Sequence, residues 1–241
     1  MAPALERVGV MAAFTERTGG VSPAPFDSLN LGFRTGDRAE RVATNRRRVV
    51  RALDVPPFAV GEQVHGSAVA RVGRERAGAG FTEAGEAVPG VDALAVTRPG
   101  ISVAVLVADC VPVVLARPGL VAVVHAGWRG LAAGIVDRVL GRFAGDGWVA
   151  AAVGPAIGPC HYEVGEEVAE MVSGAIGGAE VTRRVGRTFL DLPSTVARVL
   201  RAAGIRSIDR AEECTACLPD RFFSHRRDGA TGRQAAVAMR L

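Results

Sequence analysis

Residues Ile101 to Trp128 read I-S-V-A-V-L-V-A-D-C-V-P-V-V-L-A-R-P-G-L-V-A-V-V-H-A-G-W and form the longest apolar stretch of the chain. Asp109 and two prolines interrupt this stretch, so it is too broken to cross a membrane. Its β-branched runs instead predict buried strands near 101–108, 111–116 and 120–125. The tripeptide R-P-G at 117–119 predicts a hairpin turn between the last two strands.

Three residues of metal-binding type follow apolar runs of this kind: His65 in Q-V-H-G, Cys110 in A-D-C and His125 in V-H-A-G-W-R-G. Imidazole and thiolate are preferred zinc ligands, and three protein ligands with an open fourth position are typical of catalytic zinc. Glycines beside both histidines allow the backbone to approach a ligand closely. The spacing fits no compact zinc finger, and burial of each residue in the core is the alternative.

Elsewhere the sequence predicts helices that alternate with strands. Asp37 and Glu40 resemble a capping box that opens a helix ending at Leu53, before Pro56 and Pro57. Further strands are predicted near 58–64, 68–73, 91–97 and 148–153. Further helices are predicted near 131–144, 163–175 and 192–203, with Pro193 in the first turn of the last one. The Gly-rich and Ala-rich residues 74–90 predict an exposed loop that acts as a lid.

Composition indicates a globular protein, since 49% of the 241 residues are hydrophobic and 30 are glycine. We therefore expect an α/β (α+β) fold, a single domain over 1–241 in which mixed β-sheets are layered with α-helices. The first ten residues lack a signal-peptide pattern, and the four cysteines then fit reduced thiols, so we expect a cytoplasmic protein that binds no membrane. Cys214 and Cys217 form a C-x-x-C for which a local structural role, half a zinc site and a redox pair are all open.

The net charge of +4 comes from arginine alone, because the chain contains no lysine. Such a bias is typical of GC-rich coding sequence, so we expect no nucleic-acid partner. The densest basic group, Arg46 to Arg48 with Arg51, lies on a predicted helix and is interpreted as a solvated face.

Ordered motifs over nearly the whole chain resemble the YfiH-like laccase-domain family. Members were long labelled polyphenol oxidases and are now interpreted as purine nucleoside phosphorylases. The motifs are F-T-E-R-T-G-G-V-S at 14–22, S-L-N-L-G at 28–32, T-N-R at 44–46, Q-V-H-G, D-A-L at 92–94, A-D-C-V-P-V, H-A-G-W-R-G, G-P-A-I-G-P-C-H-Y-E-V-G at 154–165, C-T-A-C and F-F-S-H-R-R-D-G-A-T-G-R at 222–233.

The resemblance implies that His65, Cys110 and His125 are both the catalytic and the metal-binding residues. Zinc is the implied metal, with copper as a substitute in vitro, and the oligomeric state is left open, a monomer included. The implied reaction is phosphorolysis of adenosine, inosine, guanosine or 5′-methylthioadenosine, with adenosine deamination as a side activity. Cys160 and His161 are interpreted as a loop feature rather than as ligands, with His161 still open as a proton donor near a cleft.

Phosphorolysis needs a binding site for the phosphate anion. Arginine is suited to this role because its planar, forked guanidinium group pairs with two phosphate oxygens. Arg129, at a predicted helix start beside His125, is the first candidate, and Arg46 and Arg17 are further candidates. Asp109 is a candidate for moving protons, or for orienting one of the two histidines.

Three other functions are weighed against phosphorolysis. A cysteine hydrolase or amidase would use Cys110 as nucleophile and a histidine as base. Copper polyphenol oxidation is disfavoured, because a multicopper oxidase needs paired histidines and the chain has four histidines and no H-x-H pair. A non-enzymatic nucleotide-binding module leaves the three metal-type residues unexplained.

Overall fold

The computed structural model describes residues 3–143 and 148–241, so residue 144 of the helix predicted near 131–144 lies outside the described residues. The strands of the described residues are β1 (Val10–Phe14), β2 (Ala59–Val60), β3 (Val69–Arg71), β4 (Ala93–Val96), β5 (Ser102–Val107), β6 (Val111–Arg117), β7 (Leu120–Ala126), β8 (Ala150–Val153), β9 (Glu163–Val164), β10 (Val181–Arg184), β11 (Arg187–Leu190), β12 (Ser207–Arg210) and β13 (Gln234–Arg240). The α-helices are α1 (Pro3–Glu6), α2 (Ala39–Leu53), α3 (Trp128–Ala132), α4 (Ile135–Leu140), α5 (Glu166–Ala175), α6 (Leu192–Ala202) and α7 (His225–Asp228).

These strands form three sheets, two of which mix parallel and antiparallel pairs. The six-stranded sheet has the order β12-β8-β6-β7-β4-β3, the four-stranded sheet β1-β13-β5-β2, and the three-stranded sheet β10-β11-β9. Helices α4 and α6 pack on β7 and β8 of the six-stranded sheet. The predicted α/β architecture of mixed sheets layered with helices is therefore confirmed.

The two larger sheets pack against each other, which explains why their strands read as continuous apolar runs. In β7, Val124 faces the core under α4 and α6, whereas Val123 faces the core shared with the four-stranded sheet. In β5, Val105 faces that shared core, whereas Ala104 faces a third core beneath α2. Burial on both faces removes the polar alternation of a half-exposed strand.

The predicted R-P-G hairpin is confirmed. Arg117 pairs with Leu120 across β6 and β7, which leaves Pro118 and Gly119 as a two-residue turn. Gly119 has φ 85°, a left-handed conformation that glycine adopts without steric cost. The turn fixes the register that later aligns His125 with the end of β6.

Several predicted boundaries are wrong. The helix predicted near 131–144 is two short helices, α3 and α4, separated by Gly134 at φ 77°. The strand predicted near 58–64 is confined to Ala59–Val60. The predicted capping box is absent, because Arg38 is the N-cap residue of α2 and the Asp37 carboxylate instead accepts hydrogen bonds from Ser22 and Asn30. Within residues 3–143 and 148–241, no helix combines the length and hydropathy that crossing a bilayer requires.

Arg46 does not belong to the predicted solvated face of α2, although Arg47, Arg48 and Arg51 are exposed as expected. The Arg46 side chain is only 1% exposed. Its Nε donates to the Leu31 carbonyl at 2.8 Å, and its Nη1 donates to the carbonyls of Gly80 and Phe81. Burial lowers the pKa of Arg46 to about 9. This arginine therefore ties α2 to two loops.

One of those loops lies in the Gly-rich segment 74–90, which is less exposed than predicted. Phe81 and Val88 are buried there, and the Phe81 ring meets the Phe58 ring edge to face at 5.0 Å. Short 3-10 turns occupy Arg74–Arg76 and Ala84–Glu86. A lid function for this segment stays a prediction.

We expect Arg46→Met to lower the free energy of unfolding by about 2–4 kcal/mol, because three buried carbonyls lose their donors while the apolar stem is kept. Urea unfolding followed by circular dichroism measures the loss. Arg47→Met, the exposed neighbour on the same helix, is the control and should change stability by less than about 0.5 kcal/mol. Equal midpoints and slopes for the two variants would contradict the structural role of Arg46.

Candidate metal centre and cavity

His65, Cys110 and His125, called the central cluster below, meet at one point of the structure. Their ligand atoms all lie within 4.8 Å of one another. His65 follows β2, Cys110 occupies the turn between β5 and β6, and His125 lies near the end of β7. His65 is exposed, Cys110 half-buried and His125 buried, so the cluster opens to one side. The three residues proposed from the sequence are thus brought together.

A buried carboxylate that the sequence analysis did not assign holds both histidines in place. Asp92 is fully buried, and its Oδ1 lies 2.8 Å from Nδ1 of His125. The same carboxylate accepts hydrogen bonds from the backbone N–H groups of Val64, His65 and Gly66 at 3.1, 3.0 and 2.7 Å. A carboxylate on one ring nitrogen fixes the tautomer and leaves the other nitrogen to bind a metal.

Asp92 rather than Asp109 therefore orients the His125 ring, and no hydrogen bond joins Asp109 to either histidine among the described residues. Asp109 is buried, and its carboxylate accepts hydrogen bonds from the Thr215 hydroxyl and the Arg226 backbone N–H, each at 2.7 Å. Its φ of 92° is unusual for a non-glycine residue and turns the chain into Cys110. Sequence offered one signal for Asp92, which is the sole charged residue in the apolar run 91–96.

Gly127 gives the central cluster its space. A Cβ atom at this position would lie 3.0 Å from the Cys110 Sγ and 3.2 Å from Cδ2 of His65. Both distances are shorter than ordinary van der Waals contact, so the glycine predicted to allow a close approach is required by packing around the ligand atoms.

Charges within the central cluster stabilise one another. Burial raises the pKa of the Cys110 thiol, but the neighbouring imidazoles of His125 and His65 lower it further, to about 6. Burial lowers the pKa of His125, but the Cys110 thiolate and Asp92 raise it, to about 9. A thiolate is the form of cysteine that binds metals and attacks electrophiles.

The central cluster lines a cavity of about 530 Å³. This volume is within the range of small-molecule sites. Five arginines but only two carboxylates line the cavity: Arg34, Arg46, Arg129, Arg226 and Arg233, with Glu62 and Asp109. Aromatic rings also contribute, from Phe33, Trp128 and Tyr162.

Most of these charged groups already have partners. Arg34 pairs with Glu62 at 2.9 Å, and Arg233 Nη1 donates to the carbonyls of Thr231 and Gly232. Arg129 differs, because its exposed guanidinium stacks over the Trp128 ring at 4.4 Å and has no hydrogen-bond or ion-pair partner among the described residues. Its donors are therefore available to an anion.

Arg17, the third arginine proposed from the sequence, is not among the residues that line the cavity. Its Nε donates to the Asp27 carbonyl at 2.7 Å and its Nη1 to the Pro219 carbonyl at 2.9 Å. It also stacks over the Phe223 ring at 4.7 Å. These contacts are those of a structural arginine between two loops.

Two cavity residues that were not predicted from the sequence, Tyr162 and His225, have side chains that can transfer protons. Burial and the neighbouring Cys110 thiolate raise the pKa of Tyr162 to about 12, so its hydroxyl stays protonated. Nδ1 of His225 lies 2.7 Å from the Gly229 carbonyl, and since a carbonyl oxygen can only accept, Nδ1 is the donor. Tyr162 is the sole tyrosine of the chain, and this was the one feature of the sequence that could have indicated a functional role for it.

The mixed sheets place two histidines and a cysteine together in an arginine-lined cavity. The chain is therefore an α/β protein with three side chains arranged to bind a metal ion. The chain belongs to the multi-copper polyphenol oxidoreductase laccase family, whose model matches residues 11–241. The YfiH-like resemblance found in the sequence is thereby confirmed.

Relatives and solved structures agree with this assignment. The purine nucleoside phosphorylase Rv2149c of Mycobacterium tuberculosis is 38% identical over 238 residues, which span 95% of this chain and 92% of that protein. The purine nucleoside phosphorylase YfiH of Escherichia coli is 38% identical over 236 residues, which span 95% and 93%. The crystal structure of YlmD from Geobacillus stearothermophilus superposes with a TM-score of 0.93 at 37% identity, covering 99% of this chain and 94% of that one.

We expect Gly127→Ala to weaken zinc binding by the central cluster about tenfold, because its new Cβ displaces Cys110 Sγ and the His65 ring. Competition with a chromophoric chelator measures the affinity. Gly141→Ala is the control, since a Cβ there meets nothing within 4 Å. Unchanged zinc affinity in a folded Gly127→Ala protein would contradict the assignment of ligands.

Proposed function

We propose that the chain is a purine nucleoside phosphorylase that converts a nucleoside and inorganic phosphate into a free base and ribose 1-phosphate. The observation that carries the proposal is the cavity itself, in which aromatic rings and Arg129, an arginine without a partner in the described part of the chain, adjoin the central cluster. The printed names of the relatives at 38% identity support the same reaction. Adenosine, inosine, guanosine and 5′-methylthioadenosine are the substrates proposed, with adenosine deamination as a side activity.

Phosphate binding is assigned to Arg129. The Trp128 ring holds the guanidinium from one side, so its planar fork stays ordered for a two-pronged contact with phosphate oxygens. The two carboxylates of the cavity do not oppose an anion strongly. Glu62 is neutralised by Arg34, and Asp109 is engaged by Thr215 and Arg226.

The departing base needs a proton, and two groups near the cavity are suited to supply or relay it. The Tyr162 hydroxyl is protonated at neutral pH and is itself a donor. Arg226 stacks over the Tyr162 ring at 5.0 Å, which holds that ring in place. His225 also lines the cavity and is the second candidate for moving the proton.

The donor set of the central cluster fits zinc, because two imidazoles and a thiolate converge and Asp92 orients one of the rings. His65, Cys110 and His125 would hold the ion. When bound, zinc would supply Lewis-acid polarisation of a substrate atom. Copper oxidase chemistry is disfavoured, since four histidines in the chain are too few for a trinuclear centre.

A second candidate function, cysteine-dependent hydrolysis, is favoured by one observation. Cys110, His125 and Asp92 stand in the order nucleophile, base and orienting carboxylate, and the thiol has a lowered pKa. In this alternative the thiolate attacks a carbonyl and no metal takes part.

Arg129→Lys should raise the phosphate KM about tenfold, because lysine keeps the charge but loses the fork. The nucleoside KM should change less. Steady-state rates at varied phosphate concentration measure the effect, and Arg138→Lys on the exposed face of α4 is the control. A folded Arg129→Lys enzyme with the phosphate dependence of the native protein would remove Arg129 from the anion site.

With adenosine and phosphate, one phosphate should disappear for each adenine released, and labelled phosphate should appear in ribose 1-phosphate. Chromatography of the products measures both quantities. Without phosphate, any turnover should give inosine and ammonia. Release of adenine together with free ribose would instead identify a nucleoside hydrolase.

Metal removal separates phosphorolysis from the cysteine-dependent alternative. A chelator should abolish nucleoside turnover, and added zinc should restore it. A Cys110 nucleophile would behave in the opposite way, keeping activity after chelation and losing it to a thiol alkylating reagent. Turnover of nucleosides by a metal-free protein would overturn the proposed metal requirement.

A further inference from the structure

A second group of metal-binding residues lies outside the central cluster. Cys160, His161, Cys214 and Cys217, called the cysteine cluster below, place their four ligand atoms within 4.8 Å of one another. Three of these residues are exposed and Cys214 is half-buried. The loop interpretation of Cys160 and His161 missed this convergence, whereas half a zinc site was one of the alternatives left open for the C-x-x-C.

The sheet brings the two halves of the cysteine cluster together. β8 and β12 are parallel neighbours, so the loops that follow them leave the same edge of the sheet side by side. Pairing continues beyond the strands, where Ala156 bridges to Cys214 and the Thr215 N–H donates to the Ala156 carbonyl at 3.0 Å. This register places Cys160 beside a C-x-x-C more than fifty residues later.

The distances among three members of the cysteine cluster match those of ligands that share one small ion, and the Cys214 sulfur lies within 4.8 Å of all three. The Sγ atoms of Cys160 and Cys217 are 3.4 Å apart, and Nδ1 of His161 lies 3.3 and 3.4 Å from them. Tetrahedral zinc at ordinary bond lengths separates two sulfurs by about 3.8 Å and a sulfur from a nitrogen by about 3.5 Å. The observed spacing is therefore close to that of a filled site.

The backbone around the cysteine cluster forms a tight turn and donates to one of the sulfurs. Cys217 N–H donates to the Cys214 carbonyl at 3.2 Å, which closes the C-x-x-C into a turn. Gly158 N–H donates to the Cys214 Sγ at 3.2 Å. A donor to sulfur stabilises negative charge there.

We infer that the cysteine cluster is a structural zinc site, distinct from the central cluster. Three cysteines and one histidine fill all four positions of a tetrahedral ion, so no position is left for substrate. A Cys160–Cys217 disulfide is the competing outcome, but it would leave Cys214 and His161 without a function.

Zinc at the cysteine cluster would brace one wall of the cavity. Tyr162 follows His161 directly in the chain. Thr215 stands between the two cysteines of the C-x-x-C and donates to Asp109, the neighbour of Cys110. The site therefore connects the loops after β8 and β12 to the turn that carries the central cysteine.

Zinc content of the full chain tests the inference without any activity measurement, so its outcome is independent of the proposed function. Protein produced with zinc and purified with a reductant should contain two zinc ions per chain. Cys110→Ala and Cys217→Ser should each retain one, and the double variant none. One zinc in the native protein together with none in Cys110→Ala would overturn the second site.

Thiol protection in the native protein gives a second readout in case Cys217→Ser fails to fold. Exposed Cys160 and Cys217 should resist alkylation while zinc is bound and react fully after chelation, as located by mass spectrometry. Equal alkylation rates with and without zinc would refute the site. Recovery of a Cys160–Cys217 disulfide from protein kept under reductant would also refute it.

Discussion

The geometry of the cavity depends on the hydrogen bonds that the Asp92 carboxylate accepts. It is fully buried directly before β4, and it accepts hydrogen bonds from one imidazole and from three successive backbone N–H groups. A buried carboxylate is stable only when its oxygens are saturated by donors. The loop that carries His65 is therefore held in the one conformation that satisfies Asp92, and that conformation places His65 beside His125.

Much of the fold was predictable because its signals are local. The β6–β7 hairpin follows from apolar runs on both sides of Pro118-Gly119, and α6 follows from Pro193 in its first turn. Both depend on residues close together in sequence. The boundaries of α4 were predicted wrongly because of Gly134, which separates α4 from α3. An isolated glycine inside an apolar helical pattern does not by itself end the predicted helix, since tertiary packing determines whether the helix continues.

The central cluster was predictable because its three residues each end an apolar run, whereas the groups around it were not. Asp92 meets His125 only through the pairing of β4 with β7. The cysteine cluster exists only because β12 lies parallel to β8. A single sequence does not reveal which strands are neighbours in a sheet. Contacts that depend on strand pairing therefore could not be predicted from it.

Arginine content alone could not identify the anion site, since many arginines in this lysine-free chain bind backbone carbonyls. Arg46 contacts the carbonyls of two loops, and Arg227 Nη1 and Nη2 donate to the carbonyls of Thr215 and Phe222. A planar fork with several donors is well suited to such loop contacts. What distinguishes Arg129 among the cavity arginines is the absence of a partner within the described residues, which only the folded structure reveals.

The position of β13 between β1 and β5 has a consequence for biosynthesis. During translation, β5 leaves the ribosome long before residues 234–240 are made, so the edge of β5 that pairs with β13 stays uncovered until β13 follows. The four-stranded sheet is completed only by the final strand, and pairing between distant segments slows folding. A chain that lacks β13 therefore leaves β1 and β5 without the strand that joins them.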